Sequence, residues 1–177
     1  MDMRDIKEFL KDAIKYLVVI VTVIFVVIYV VTLEQVVGPS MYPTFNEGDV
    51  VVLNKFVYRF KDVRRGEIIS FKNSGSKYLI KRVIGLPGET VEIKDNKIYI
   101  DEKALNEYYL KNIDMEDFSL SDLGYDEIPQ DMYFVLGDNR SNSQDSRDPK
   151  IGLIKKSDIL GRVKYRIWPL NRIGAVR

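Results

Sequence analysis

Ser40 lies between two prolines in Gly38-Pro39-Ser40-Met41-Tyr42-Pro43-Thr44, and each pyrrolidine ring restricts the backbone beside it. A hydroxyl on so confined a segment suits a nucleophile that must keep one geometry; the same residues also suit an ordinary turn. A serine becomes a nucleophile only with a base beside it. The chain has no His and no Cys, which excludes a Ser-His-Asp triad, a thiol nucleophile or disulfide framework, and zinc sites built on His or Cys.

Among the remaining bases, Lys81 has the environment that lysine catalysis requires. On a strand through Tyr78–Ile84 it shares a face with Leu79 and Val83, while Ile80, Arg82 and Ile84 take the other. A free lysine has a pKa near 10.4, so about one in a thousand is neutral near pH 7.4. Apolar surroundings lower that pKa by disfavouring the ammonium. The competing reading is a lysine whose stem covers apolar surface while its amine reaches water.

A third stretch, Gly137-Asp138-Asn139-Arg140-Ser141-Asn142-Ser143-Gln144-Asp145-Ser146-Arg147, is dense in side chains that bond local backbone. It reads as an elaborate turn or as a polar shell supporting the two candidates. A calcium loop fits poorly, because Arg140 falls where an oxygen ligand is needed and no glycine occupies the sharp turn.

These residues need elements to position them. Tyr16–Leu33 is an uncharged run rich in Val and Ile, and as a helix its eighteen residues would extend roughly 27 Å, near the hydrocarbon thickness of a bilayer. It is longer than a typical signal-peptide core, and no small-x-small site follows it. The expected organisation is a cytoplasmic segment over 1–15, a membrane helix over 16–33 and an outer domain over 34–177. Arg4, Lys7, Lys11 and Lys15 precede the run and the next basic residue is Lys55, which places the N-terminus in the cytoplasm. Ser40 is seven residues past Leu33, so it cannot lie more than roughly 25 Å from the end of the span. If Ser40 is catalytic, its substrate is close to the membrane. Met41, Tyr42 and Phe45 beside it can enter the interface, line a cleft or pack a core.

Beyond the run, apolar segments shorten and alternate with turn residues. Asp49–Leu53, Glu67–Phe71, Tyr78–Ile84, Met132–Leu136 and Leu160–Ile167 read as strands, and Lys94-Asp95-Asn96 joins Val91–Ile93 to Lys97–Ile100 as a hairpin. The fold class is mainly β, an antiparallel sheet after one helix. Residues 103–111 are the other helical candidate, and 101–130 reads as an inserted lobe. With 27 basic and 26 acidic residues, the net charge of +1 indicates no nucleic-acid partner.

Taken in order, the anchor, Ser40-Met41-Tyr42-Pro43-Thr44, Gly48-Asp49-Val50-Val51 running into Lys55 and Tyr58, Lys81-Arg82-Val83-Ile84-Gly85-Leu86-Pro87-Gly88, and Gly137–Arg140 through Asp145-Ser146-Arg147 resemble the bacterial type I signal peptidases. The resemblance implies a membrane-bound, cofactor-free Ser/Lys endopeptidase, its catalytic domain on the outer face of the cytoplasmic membrane. Such an enzyme removes signal peptides from exported preproteins after small residues at −1 and −3. By position in these boxes, Ser40 is the nucleophile and Lys81 the base, Ser143 bonds the lysine, and Asp145 with Arg147 forms a bracing pair. Related enzymes with His in place of the lysine are excluded by the lack of histidine. Gly38 stands where some members have a serine that supplies an oxyanion donor, which leaves that task to backbone N–H groups. The short 101–130 region resembles the compact Gram-positive forms. The alternative from another class is a non-catalytic tethered β domain that binds exported chains; a self-cleaving repressor-type regulator is disfavoured by the span and the lack of a DNA-binding head.

Overall fold

The computed structural model describes residues 3–73, 75, 77–110 and 114–176. The chain begins with helix α1, Met3–Phe25, which continues through a π-helical turn, Val26–Val30. Residues 16–26 and 28–29 leave their apolar side chains exposed. Among the described residues this is the one helix long and apolar enough to cross a bilayer.

The helix stops at Val30, three residues short of the expected Leu33. Val31–Gln35 forms strand β1 instead, paired antiparallel with β2, Val50–Asn54, in the register Val31↔Asn54 to Gln35↔Val50. The physical reason is competition for the same backbone groups. Lys55 donates its N–H to Val30 O (2.9 Å) and its ammonium to Ile28 O (2.6 Å), satisfying carbonyls that a helix end leaves open. Val31-Thr32-Leu33 suits a strand as well as a lipid-facing helix, and the β2 edge decides.

The remaining strands are β3 (Ile68–Lys72), β4 (Tyr78–Gly85), β5 (Val91–Lys94), β6 (Lys97–Ile100), β7 (Lys103–Ala104), β8 (Phe118–Ser119), β9 (Met132–Leu136), β10 (Ile154–Lys155), β11 (Ile159–Trp168) and β12 (Gly174–Ala175). Among the described residues they form an eight-stranded sheet, β1-β2-β11-β3-β4-β9-β10 with β12 on β11, and a four-stranded sheet, β7-β6-β5-β8. All their pairings are antiparallel. The Asp95-Asn96 turn of the β5–β6 hairpin has both residues at positive φ, 49° and 61°, which matches the twist of the flanking strands.

Two expectations need correction here. The lobe starts at Val91 rather than 101, because the β5–β6 hairpin pairs with β7 and β8 and not with the large sheet. Residues 103–110 are not helical: Lys103-Ala104 continues the β6 ladder, Leu105 donates to Ile98 O (2.7 Å), and a turn closes from Leu110 N to Glu107 O. Residue 111 lies outside the described residues.

Strand alternation sorts the core. Ile69, Phe71, Val83, Tyr133 and Val135 pack on one face of the large sheet. Across the strands, Ile68 and Ile80 join Val36, Met41, Phe45, Val51, Leu53 and Val163. Ile84, Phe134 and Leu136 meet the lobe through Val91, Ile93, Ile98 and Phe118. Strand β4 is therefore buried on both faces, and its charged residues must find partners.

Candidate active site

The turn after β1 holds Ser40 by packing as well as by proline. Met41 and Phe45 are buried in the core, Phe45 N–H donates to Met41 O (2.8 Å) and Tyr42 N–H to Pro39 O (3.0 Å), while Tyr42 stays exposed. Gly38 enters the turn at φ +77°, a conformation that carries little cost only for glycine. Ser40 itself is half-buried. From the opposite side, Asn139 donates its N–H to Ser40 O (3.0 Å) and its amide to Pro39 O (3.1 Å).

Lys81 comes from the middle of β4, opposite Ile69 of β3. Its side chain is buried, 2% exposed, and its Nζ donates to Ser40 Oγ at 2.7 Å. Burial lowers its pKa from 10.5 to about 8, against the opposing pull of Asp145 and Asp138. The two residues that the sequence singled out for chemistry, 41 positions apart, are thus in direct contact.

The loop after β9 surrounds them. Asp145 pairs with Arg147 (2.8 Å) and accepts the Gly137 N–H (3.0 Å); Arg147 also donates to Arg140 O (2.8 Å). Ser146 ties this loop to β9, its hydroxyl accepting Val135 N–H and its own N–H donating to Val135 O. A Cβ at Gly137 would stand 2.4 Å from Ser40 O and 2.2 Å from Ser143 Oγ, so only glycine lets the loop approach the serine turn. Ser143 departs from expectation. Its hydroxyl is buried and, among the described residues, makes no hydrogen bond, to Lys81 or to any other group. It lies against Gly137, where the turn fixes its position.

Sequence reasoning missed the charged frame beneath the pair. Arg82 and Asp138 form a two-pronged buried ion pair, 2.8 and 2.7 Å, with side chains 1% and 0% exposed. Thr44 Oγ1 donates to the same Asp138 carboxylate. Arg82 also donates to Gly66 O (2.9 Å) and stacks over Tyr109 at 4.0 Å. Farther out, Arg140 donates to Gly137 O and to Glu107, which accepts Tyr109 OH. Through Thr44, Asp138 and Arg82 the serine turn is bolted to the residue next to Lys81. The available signal was an arginine inside the apolar run of β4, which had to have a buried partner.

A buried lysine amine on a serine hydroxyl, with no imidazole anywhere in the chain, is the arrangement of a Ser/Lys hydrolase. The family model described as signal peptidase, peptidase S26, matches residues 7–168. The chain belongs to that family. Signal peptidase I V of Bacillus subtilis (strain 168) is 45% identical over 136 residues, covering 72% of this chain and 80% of that protein. Signal peptidase I of Leptolyngbya laminosa is 38% identical over 144 residues, 76% of this chain and 68% of its own. The crystal structure of a signal peptidase I from Enterococcus faecalis V583 superposes with a TM-score of 0.53 at 39% identity, covering 58% of this chain and 97% of that one. The signal peptidase is thus a membrane serine endopeptidase that cleaves signal peptides, anchored through its N-terminal helix. The alternative of a purely binding domain falls away.

Proposed function

We propose that Ser40 is the nucleophile and Lys81 its general base, in a domain held on the outer face of the cytoplasmic membrane by a helix whose N-terminus is cytoplasmic. The observation that carries this reading is the 2.7 Å contact between Lys81 Nζ and Ser40 Oγ with the amine buried. In the productive state the amine is neutral. It accepts the Ser40 proton as Oγ attacks the scissile carbonyl, passes it to the leaving amine, then takes a proton from the water that releases the acyl-enzyme. The Ser40 N–H is the proposed backbone oxyanion donor, and Gly38, without a side chain, contributes only its backbone. Asp145 and Arg147 brace the loop; Ser143 lies against Gly137 of the same loop.

The substrate segment binds extended. Strand β4 has β3 on one side from Tyr78 to Arg82, but β9 pairs only from Arg82 onward, so Tyr78–Lys81 presents an edge without a strand partner among the described residues. An extended peptide can add to such an edge. The helix leads directly into β1 and then Ser40, so a signal peptide leaving the bilayer alongside it meets the nucleophile within a few residues. Val36, Met41 and Ile80 beside that route are buried apolar groups, a surface that suits small side chains at −1 and −3.

Right-side-out vesicles test topology and cleavage together. A cleavage-site peptide added outside is expected to be cut after the small residue at −1 in vesicles carrying the wild type, above the background of vesicles carrying Ser40→Ala. Cleavage that requires permeabilisation contradicts the orientation, and equal cleavage by both contradicts the role of Ser40.

A further inference from the structure

We propose that the turn after β2 is a site for anionic phospholipid headgroups, with Phe60 entering the bilayer interface and Arg59, Lys61 and Arg64 holding lipid phosphates. Two contacts to the end of the anchor place this turn. Lys55 donates its backbone N–H to Val30 O (2.9 Å) and its ammonium to Ile28 O (2.6 Å), so the residues after it start where the apolar helix stops. Strand β1 follows directly on that helix and pairs with β2, Val31 opposite Asn54. This end of the large sheet is therefore the end nearest the lipid. The placement holds whichever face of the membrane carries the domain, and it stands apart from the dyad and orientation proposed above.

Local structure fixes what the turn presents. Asn54 Oδ1 accepts the N–H groups of Phe56 (3.0 Å) and Val57 (3.1 Å), an arrangement that lets an asparagine start a turn, here a 3-10 turn over Val57–Arg59. Tyr58 is pinned by its hydroxyl, which donates to Glu67 (2.8 Å), and Val63 is buried in the core. Phe60 packs on Phe56, ring centroids 4.9 Å apart, yet is 74% exposed. An aromatic ring held outward at the foot of a membrane anchor suits the interface, where aromatic side chains concentrate.

Charge selects the lipid. Residues 55–65 hold five basic side chains and one acidic, in a chain whose net charge is only +1. Asp62 pairs with Lys156 (3.1 Å) and Arg65 with Glu89 (2.6 Å). Arg59, Lys61 and Arg64 are exposed and form no ion pair among the described residues; Arg59 lies over the Phe56 ring, 5.4 Å from its centroid. Unmatched cations beside a bilayer strengthen association with an anionic surface by about fivefold each. An apolar side chain and a basic cluster together give the two signals that hold a segment on such a surface.

The chain has no cysteine, so Phe60→Cys carries a single fluorophore where the ring stood. The full chain is reconstituted in phosphatidylcholine bilayers, and quenching is compared for phosphatidylglycerol and phosphatidylcholine bearing the same shallow nitroxide. Phosphatidylglycerol is expected to associate more strongly by about fivefold or more. The preference should fall to near one when Arg59→Gln, Lys61→Gln and Arg64→Gln are added, and also at about 1 M salt, where the Debye length is ~3 Å. Adding Lys94→Gln, Lys97→Gln and Lys103→Gln instead, exposed residues of the lobe, makes the same change in net charge and should leave the preference intact. Retained preprotein cleavage in detergent shows that each variant is folded. Equal quenching by the two lipids overturns the headgroup site, as does a preference that survives loss of the three turn cations. Equal loss in both triple variants reduces the effect to net charge and overturns the assignment to this turn. Quenching by neither lipid overturns the placement: the turn then stands in water if aqueous iodide reaches the label, or under a protein partner if it does not.

Discussion

Lys81→Met is expected to lose signal-peptide cleavage by at least about a thousandfold, the range for removing a positioned general base, while the folded protein becomes more stable at neutral pH. Methionine fills much of the same volume without a charge. In the wild type, burial lowers the lysine from 10.5 to about 8, so the unfolded chain binds a proton more tightly than the folded one. At about 1.4 kcal/mol per tenfold change in affinity, that mismatch costs the fold roughly 3 kcal/mol below pH 8. The cost shrinks as pH rises from 8 and disappears above 10.5, where the lysine is neutral in both states. Allowing for the lost bond to Ser40, Lys81→Met should gain about 2 kcal/mol at pH 7, and its advantage should vanish toward pH 10.5. Thermal unfolding of both full chains in detergent at the two pH values checks this. Retained cleavage contradicts the catalytic role, and a stability difference independent of pH contradicts the buried-ammonium account.

Asp138→Ala should be the most damaging single change away from Ser40 and Lys81. It leaves the Arg82 guanidinium, 1% exposed, without its carboxylate, and breaking one side of a buried ion pair costs about 3–5 kcal/mol. It also frees Thr44 and with it the serine turn, so activity should fall even in the fraction that folds. Arg82→Met combined with Asp138→Ala should recover part of the stability, because no unpaired charge remains. The check is a double-mutant cycle in denaturant. A single-mutant loss below about 1 kcal/mol, or simple additivity of the two changes, contradicts this reading of the pair.

Much of this molecule is legible in its residues because local chemistry and global fold agree. The lack of histidine forces attention onto lysine, strand alternation through Tyr78–Ile84 buries that lysine, and the hairpin at Asp95-Asn96 announces itself. The failures share a cause: each depends on which partner a segment takes, and its own residues do not specify that. Val31-Thr32-Leu33 is apolar and β-branched, compatible with lipid or strand, and only the β2 edge and Lys55 end the helix at Val30. Residues 103–110 lose their helix to the β6 ladder. Val91–Ile100 looks like any hairpin until β7 and β8 draw it into the lobe. Arg82 and Asp138 lie 56 residues apart, and nothing near either one names the other. The motif position of Ser143 implies a bond to the lysine, whereas its hydroxyl packs against Gly137 and makes no hydrogen bond among the described residues.

The frame also explains how catalysis is kept at a cost to stability. The buried ammonium opposes folding, and ion pairs on both sides hold the turn and loop that enclose it. Replacing the lysine with an uncharged side chain would favour folding but remove the proposed base. This is a stability–activity trade-off set by one residue.

The pH dependence of kcat/KM for a single preprotein tests the central claim most directly, since that quantity reports the essential base of the free enzyme. The Ser40–Lys81 account predicts a one-proton limb with its midpoint near 8, activity falling about tenfold per pH unit below it. A flat profile from pH 6 to 9, or a limb in the carboxylate range that persists in Lys81→Met, would contradict it.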